Sequence, residues 1–454
     1  MSRDWVRHAI WWQVFPLGFV DAEPALTAID GSVRHRLDRI IDWLDYAVEL
    51  GASGLALGPV FAAETHGYDT VDHFRVDPRL GDADDLARLI AAAHARGLRV
   101  LLDGVFNHVG RAFPAFARVL EQGPAAPEAG WFRLSWLHGT ATGAEPAYDT
   151  FEGHRGLVAL DHGNPAVVDY VADAMCFWLD AGADGWRLDA AYAVPEAFWA
   201  AVLPRVRARH PDAYIVGEVI HGDYGGVVER SGVDAVTQYE LWKAIRSSLS
   251  DRNLHELAWA LQRHNDFLAS FVPLTFVGNH DVTRIASALP DERHLPHALA
   301  ILLTVGGAPS IYYGDEQAFR GVKEQREGGD DAIRPAFPAD GPPGLAAWGL
   351  PTYRLHQQLI GLRRRHGWLH RATTTPVVLQ NHRAVLESTE GEHRLLLALN
   401  LDEDAADLPA PGATELLAGS GQLHHAGGAA ARLVLPPHGW GVLSAVQMLS
   451  RGAS

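Results

Sequence analysis

Between residues 11 and 314 the chain repeats one pattern eight times, a short apolar or β-branched run followed by a longer segment of helical period. That alternation restricts the fold more than any other feature of the sequence. The runs occupy residues 11–16, 54–59, 99–105, 185–189, 214–218, 233–239, 274–279 and 310–314. Short apolar runs separated by helices are the signature of parallel strands buried on both faces. Of the intervening segments, residues 37–50 set Ile40, Ile41, Leu44, Ala47 and Val48 on one helical face, and residues 84–96 do the same with Leu86, Leu89, Ile90 and Ala93. Eight such units close naturally into a ring. The expected fold class is therefore α/β, a (β/α)8 TIM barrel.

Two stretches interrupt the pattern. Residues 109–160, between the third and fourth runs, are too long for one helix and are rich in Gly, Pro, Ala and aromatics, among them Phe113, Phe116, Trp131, Phe132 and Trp136. They read as an inserted subdomain after strand 3. Beyond a last helix near residues 350–365 the period changes to two, as in 394–400 and 431–435, so residues 369–454 read as a C-terminal antiparallel, sandwich-like β domain. The barrel itself would span residues 1–108 and 161–368.

Composition excludes several functions. The net charge of −17 argues against nucleic-acid partners, whose binding rests on Lys and Arg contacts to phosphate. The single cysteine, Cys176, rules out an intrachain disulfide and a cysteine-rich metal site; it lies in a run of large apolar residues and reads as a core thiol. No apolar run reaches the ~20 residues that span a bilayer, so no membrane partner is expected. The first eight residues have no export-signal pattern, which makes a cytoplasmic protein the expectation. Oligomeric state cannot be read from the sequence.

In a barrel of this kind reactive groups gather at the C-terminal ends of the strands. Five of those ends are loaded: Glu64 to Asp69 after the second, Asp103 to His108 at the third, Arg187 and Asp189 at the fourth, Glu218 at the fifth, and Asn279 to Asp281 at the seventh. Arg187 and Asp189, two apart on a strand, point to the same side, and a guanidinium there favours an ionised carboxylate. The competing reading is a structural ion pair. A third carboxyl crowded near two anions has its pKa raised, which suits Glu218 to general-acid work; taken alone, Glu218 reads better as a solvated cap of the following helix. Asp281 has an N-cap alternative as well. His108 and His280 belong to no spaced cluster of metal ligands and read as hydrogen-bonding partners of a polyol. One acid and one nucleophile flanking an acetal are the minimum equipment of retaining glycoside hydrolysis. Tyr68 and the aromatics of the insertion would offer apolar faces to a sugar ring.

The segments Asp103-Gly-Val-Phe-Asn107-His108, Gly185-Trp-Arg187-Leu-Asp189, Gly217-Glu218 and Asn279-His280-Asp281 closely resemble, in order and spacing, the four signature regions of the α-amylase family of glycoside hydrolases. Gly67-Tyr68-Asp69, Leu160-Asp161, the run from Gly307 to Glu316 and the segment from Asp330 to Arg334 extend the likeness over nearly the whole chain. The resemblance implies that Asp189 is the nucleophile, Glu218 the acid/base and Asp281 the transition-state stabiliser. It places Tyr68, His108, Arg187 and His280 around the glucose on the non-reducing side of the cut and makes Asp330 and Arg334 a sugar-binding pair; Asp69 and Asp103 join the expected substrate-binding set. Asn107 matches a position that either ligates a structural calcium or braces the insertion, and no cofactor is implied for the chemistry itself. Endo-acting members carry a Lys-His pair shortly after the nucleophile, where this chain has Ala190-Ala191-Tyr192-Ala193. That departure points away from starch and toward a small soluble α-glucan or α-glucoside substrate such as a maltodextrin, a cyclodextrin or a disaccharide. The alternatives are a transglycosylase or sugar isomerase using the same covalent intermediate, and a non-catalytic sugar-binding homologue.

Overall fold

The computed structural model describes residues 4–28, 30–136, 145–326, 328–426 and 430–446. The first three residues of the segment read for an export signal lie outside them. All eight expected strands are present: β1 (Trp11–Val14), β2 (Gly54–Leu57), β3 (Arg99–Gly104), β4 (Gly185–Leu188), β5 (Tyr214–Gly217), β6 (Ala235–Val236), β7 (Leu274–Phe276) and β8 (Ala308–Tyr312). They pair in parallel in the order β6-β5-β4-β3-β2-β1-β8-β7, and a parallel bridge from Thr237 to Leu274 closes the ring. The strands read as apolar runs because both faces are covered: every residue of β2, β4, β5 and β8 is buried.

Large aromatics fill the end of the barrel opposite the site. Trp11 stacks on Tyr214 and meets Trp5 edge-on. The Trp11 ring needs room, and Gly54 supplies it, since a Cβ there would come within 2.4 Å of the ring; a Cβ at Gly185 would meet the backbone of the adjacent strand, 2.0 Å from the Tyr214 carbonyl oxygen. The helix starts are equally local in origin. In α2 (Ala83–Ala95), which follows α1 (Leu44–Leu50), Asp82 and Asp85 form a reciprocal capping box, and Leu86, Leu89, Ile90 and Ala93 are buried as expected. In α3 (Pro165–Asp180) Asn164 caps the first turn, Pro165 opens it, and Cys176 is buried.

One helix differs from its expectation. Residues 37–50 form two pieces, Asp38–Ile41 and α1, separated by a turn at Asp42 and Trp43. Trp43 packs inward against Phe19, Tyr46 and Phe337, and Val48 is left exposed instead of sharing the buried face. Accommodating one large ring outweighed the helical period.

After β3 the chain leaves the barrel at His108–Gly110 and returns through Leu157–Ala159, which pair antiparallel; between them lie the helix Pro114–Gln122 and a small two-stranded ribbon. Phe113, Phe116 and Phe132 are buried there as core. After α4 (Leu295–Thr304) and α5 (Leu350–Arg365) come strands β9 (Thr373–Leu379), β10 (Arg383–Glu390), β11 (His393–Asn400), β12 (Ala406–Pro409), β13 (Ala413–Gly419), β14 (Gln422–Ala426), β15 (Ala430–Leu435) and β16 (Trp440–Ala445). They form antiparallel sheets ordered β9-β10-β11-β16-β13 and β12-β15-β14. The period of two does what it implies in β11: Leu395, Leu397 and Leu399 join the barrel's apolar cluster, while Leu396 and Ala398 join the cluster between the two sheets. Among the described residues no helix is long and apolar enough to cross a membrane.

Burial holds several imidazoles neutral. It pushes the pKa values of His73, His108, His264, His297 and His356 down to about 4, and that of His370 to about 3. A histidine whose folded pKa is depressed contributes stability that is complete above its unfolded value, about 6.5, and is lost as pH falls from there toward 4. The thermal midpoint should therefore fall as pH drops from 6.5 to 4.5 in a calorimetric series, and a flat profile over that window would contradict neutral burial of these rings.

Candidate active site

The site forms where the barrel strands deliver their last residues. Arg187 on β4 stands in register with Asp103 on β3, and its guanidinium organises everything nearby. Nη1 donates to both Asp103 oxygens at 2.7 Å and to Asp189 Oδ1 at 3.2 Å, while Nη2 lies 2.8 Å from Glu218 Oε1. Glu218 receives two further donors, the Ala190 N–H at 3.0 Å and the Tyr239 hydroxyl at 3.0 Å; Asn279 in turn donates to Tyr239 at 2.8 Å. Ala190 adopts φ 45°, a left-handed backbone that is unusual for a residue with a Cβ, and this is the conformation in which its N–H serves Glu218.

Asp281 closes the group from the loop after β7. Its Oδ1 accepts from Arg334 at 3.1 Å and its Oδ2 lies 2.9 Å from His280 Nε2. Arg334 also binds Asp330 at 2.8 Å, donates to the His280 carbonyl oxygen at 3.0 Å and lies over the Phe15 ring at 4.5 Å. Asp330 and Arg334 are thus joined as a pair, with Arg334 anchored on Asp281. Tyr68 stacks parallel to His280, with centroids 5.4 Å apart; its hydroxyl donates to Asp103 at 3.2 Å and meets His280 Nε2 in a short contact. The Gln13 amide nitrogen lies 3.1 Å from His280 Nδ1, the arrangement expected when that imidazole carries its proton on Nε2.

Together Tyr68, His108, Asp189, Glu218 and Asp281 line one open cleft of about 300 Å³. Arg187, His280, Asp330 and Arg334 do not line it and act through the charged groups they hold, and three expected site residues sit differently from the sequence reading. Asp103 is fully buried with both oxygens on Arg187, and the Asp69 carboxyl turns onto Thr65 at 2.5 Å; neither lines the cleft. His108 does line it, but Nε2 is 3.0 Å from the Tyr68 carbonyl oxygen and Nδ1 is 3.0 Å from the Asn107 amide, so its nitrogens brace the wall. The Asn107 carbonyl accepts from Leu160 N–H at the return of the insertion. The contacts of Asn107 are thus an imidazole nitrogen, through its side-chain amide, and a backbone amide, through its carbonyl.

Sequence reasoning missed other cleft residues. Phe151 packs on His108 with centroids 4.6 Å apart, a place the expected insertion aromatics do not take. Glu152, at φ 49°, accepts from the Tyr192 hydroxyl at 3.0 Å, and Lys323 lies 3.5 Å from Asp330. Tyr192 occupies the stretch that departs from the Lys-His pattern, and that departure was the one available signal.

The electrostatics follow from a simple imbalance. Asp103, Asp189, Glu218 and Asp281 are four buried or largely buried carboxyls facing two guanidiniums. Burial pushes Asp189 well above the usual carboxylate range; Arg187 opposes the shift, while Glu218, Asp103 and Asp281 reinforce it. Asp103 is raised in the same way. Burial also works against ionisation of Asp281, but His280 and Arg334 more than offset it, and Asp281 lies well below the usual range. Arg187 does favour the ionised form of Asp189, as expected, but its charge is shared among three carboxyls and does not offset burial. Protons in such a set belong to the cluster, so the site holds a transferable proton beside an anion, the pairing that acid/base chemistry at an acetal requires.

A barrel with carboxyls converging on one cleft defines a class, that of TIM-barrel hydrolases working by paired carboxylates. Residues 13–337 match the model of the alpha-amylase catalytic domain. The chain belongs to the alpha-amylase family. It is 32% identical over 441 residues to a cyclomaltodextrinase of Geobacillus thermopakistaniensis (strain MAS1), covering 90% of this chain and 71% of that one. An intracellular maltogenic amylase of Bacillus subtilis (strain 168) is 29% identical over 71% of this chain and 58% of its own length. Among solved structures, the ligand-free cyclic α-maltosyl-(1→6)-maltose hydrolase from Arthrobacter globiformis is similar, with a TM-score of 0.81 at 27% identity over 98% of this chain and 100% of that one.

A carboxyl whose folded pKa is raised contributes favourably below its unfolded value, near 3.8, and that contribution is lost as pH rises through the folded value. Asp189→Asn should therefore raise the thermal midpoint at pH 7, and the gain should shrink toward pH 4. A lower midpoint at pH 7 would show that the Asp189 charge stabilises the fold.

Proposed function

We propose that the protein is a retaining α-glycosidase that hydrolyses α-glucosidic bonds of small malto-oligosaccharides and cyclodextrins. One observation carries this reading: Asp189, Glu218 and Asp281 converge on a single cleft from the ends of β4 and β5 and the loop after β7. Membership of the alpha-amylase family supports it.

In the reactive form the proton shared by the cluster resides on Glu218, and in the first step an Asp189 carboxylate oxygen attacks the anomeric carbon. The glycosidic C–O bond breaks, and Glu218 gives its proton to the departing oxygen. Asp281, held ionised by His280 and Arg334, stabilises the positive charge that develops on the ring. In the second step Glu218 takes a proton from water, whose oxygen attacks the same carbon and releases Asp189. Two inversions retain the anomeric configuration. Tyr239 and the Ala190 N–H fix the Glu218 carboxyl throughout. Asn107 braces the insertion through His108 and Leu160, and the chemistry assigned to the cleft runs on carboxyl groups.

Small substrates are supported by the Tyr192–Glu152 contact in the cleft wall, where endo-acting members carry the Lys-His pair, and by the names of the cyclomaltodextrinase and maltogenic amylase relatives. The intracellular B. subtilis relative supports a cytoplasmic location.

Glu218→Gln should slow hydrolysis of maltotriose by ~10²–10⁴-fold but recover much of that loss on an aryl α-glucoside whose leaving group needs no proton. Asp189→Asn should be inactive on both. Equal loss on both substrates for Glu218→Gln would remove its role as the acid. On the wild-type protein, a kcat/KM for soluble starch above that for cyclodextrins would overturn the substrate reading.

A further inference from the structure

A second cluster of ligating groups lies outside the cleft, where the barrel meets the C-terminal β sheets. Asp291 and His294 stand on the turn leading into α4, and His438 on the turn leading into β16. His294 Nε2 and His438 Nδ1 are 3.0 Å apart, and Asp291 Oδ2 lies 4.0 Å from the first and 3.8 Å from the second. Both imidazoles are almost completely buried.

We propose that Asp291, His294 and His438 bind one zinc-type divalent ion that ties the C-terminal domain to the barrel. Tetrahedral zinc, with Zn–N near 2.0–2.1 Å and Zn–O near 2.0–2.2 Å, needs ligand atoms ~3.3–3.4 Å apart. The observed spacings bracket that value, so the three atoms reach it by shifts of a few tenths of an ångström. Two imidazoles and one carboxylate also match zinc better than calcium, which takes oxygens.

Two further features point the same way. On its far side His438 Nε2 lies 2.9 Å from Glu403 Oε2, near the position from which a carboxylate orients a ligating imidazole. Asp291 Oδ2 also accepts from Arg293 at 2.7 Å, a bond that the metal would have to share or displace. His438 also holds φ 51° in the segment Pro436-Pro437-His438-Gly439, a strained backbone that keeps its ring turned toward His294. The charges agree with a dication: Asp291 and Glu403 share the single guanidinium of Arg293.

Because the ligands come from residues 144 apart in sequence, binding would stabilise the docked arrangement by linkage. The test uses the full chain, stripped with a chelator, incubated with zinc chloride, passed through gel filtration and analysed for metal. The expected result is about one zinc per chain, a thermal midpoint raised by several degrees, and loss of both in His294→Ala and His438→Ala, while the cleft variant Asp281→Asn keeps its zinc. Should the histidine variants fold poorly, Asp291→Asn and the visible spectrum of the cobalt-loaded wild type report on the same site, since tetrahedral cobalt with imidazole ligands absorbs strongly. Less than about a tenth of a zinc per chain in the wild type, or zinc retained undiminished by the variants, would identify the cluster as a hydrogen-bonded histidine pair and overturn the proposal.

Discussion

One buried guanidinium holds the site together. Arg187 touches Asp103, Asp189 and Glu218 at once, and Asp103 spends both oxygens on it. A buried charge cluster of this kind is costly unless its geometry is tight and its lone pairs are met. The barrel meets that condition by register: Arg187 and Asp103 are set side by side on adjacent strands, so their contact is fixed by the sheet itself. From this fixed point the chain can extend Asp189 upward and let β5 bring Glu218 to the other nitrogen.

The cost is not fully offset, and that residue of unfavourable energy is the functional property. Four carboxyls against two guanidiniums leave a site that welcomes a proton. Asp281 escapes the crowding through its own partners, His280 and Arg334, which keeps one reliable anion beside the reacting centre. Ala190 adds backbone strain to the same end, trading a comfortable φ for an N–H aimed at Glu218. Sites that work by stored electrostatic tension are expected to subtract from stability, and the aromatic floor of the barrel and the sheets docked against α4 supply the compensation.

The barrel was legible because strands buried on both faces must be apolar runs, and the three carboxylates were legible because the strand ends that carry them are countable. What escaped was whatever depends on tertiary contact. The helical period of residues 37–50 could not reveal that Trp43 would turn inward and break the helix. Asp103 and Asp69 looked like sugar ligands in the sequence, but Arg187 of the next strand claims both Asp103 oxygens, and Asp69 is turned onto Thr65 of its own loop. Tyr239, Gln13 and Phe151 carry no motif; the closed ring brings the first two to Glu218 and His280, and the folded insertion brings the third to His108. The Asp291, His294 and His438 cluster is invisible in one dimension for the same reason.

Everything assigned to the cleft turns on Asp189 forming a bond with the sugar. The most direct measurement is to trap the protein with a fluorinated α-glucosyl fluoride, which forms the glycosyl-enzyme faster than water can release it, and to map the modified peptide by mass spectrometry. The expected result is one added glycosyl group per chain, on Asp189. A label on Glu218, on Asp281 or on no carboxyl while the compound is still turned over would contradict it.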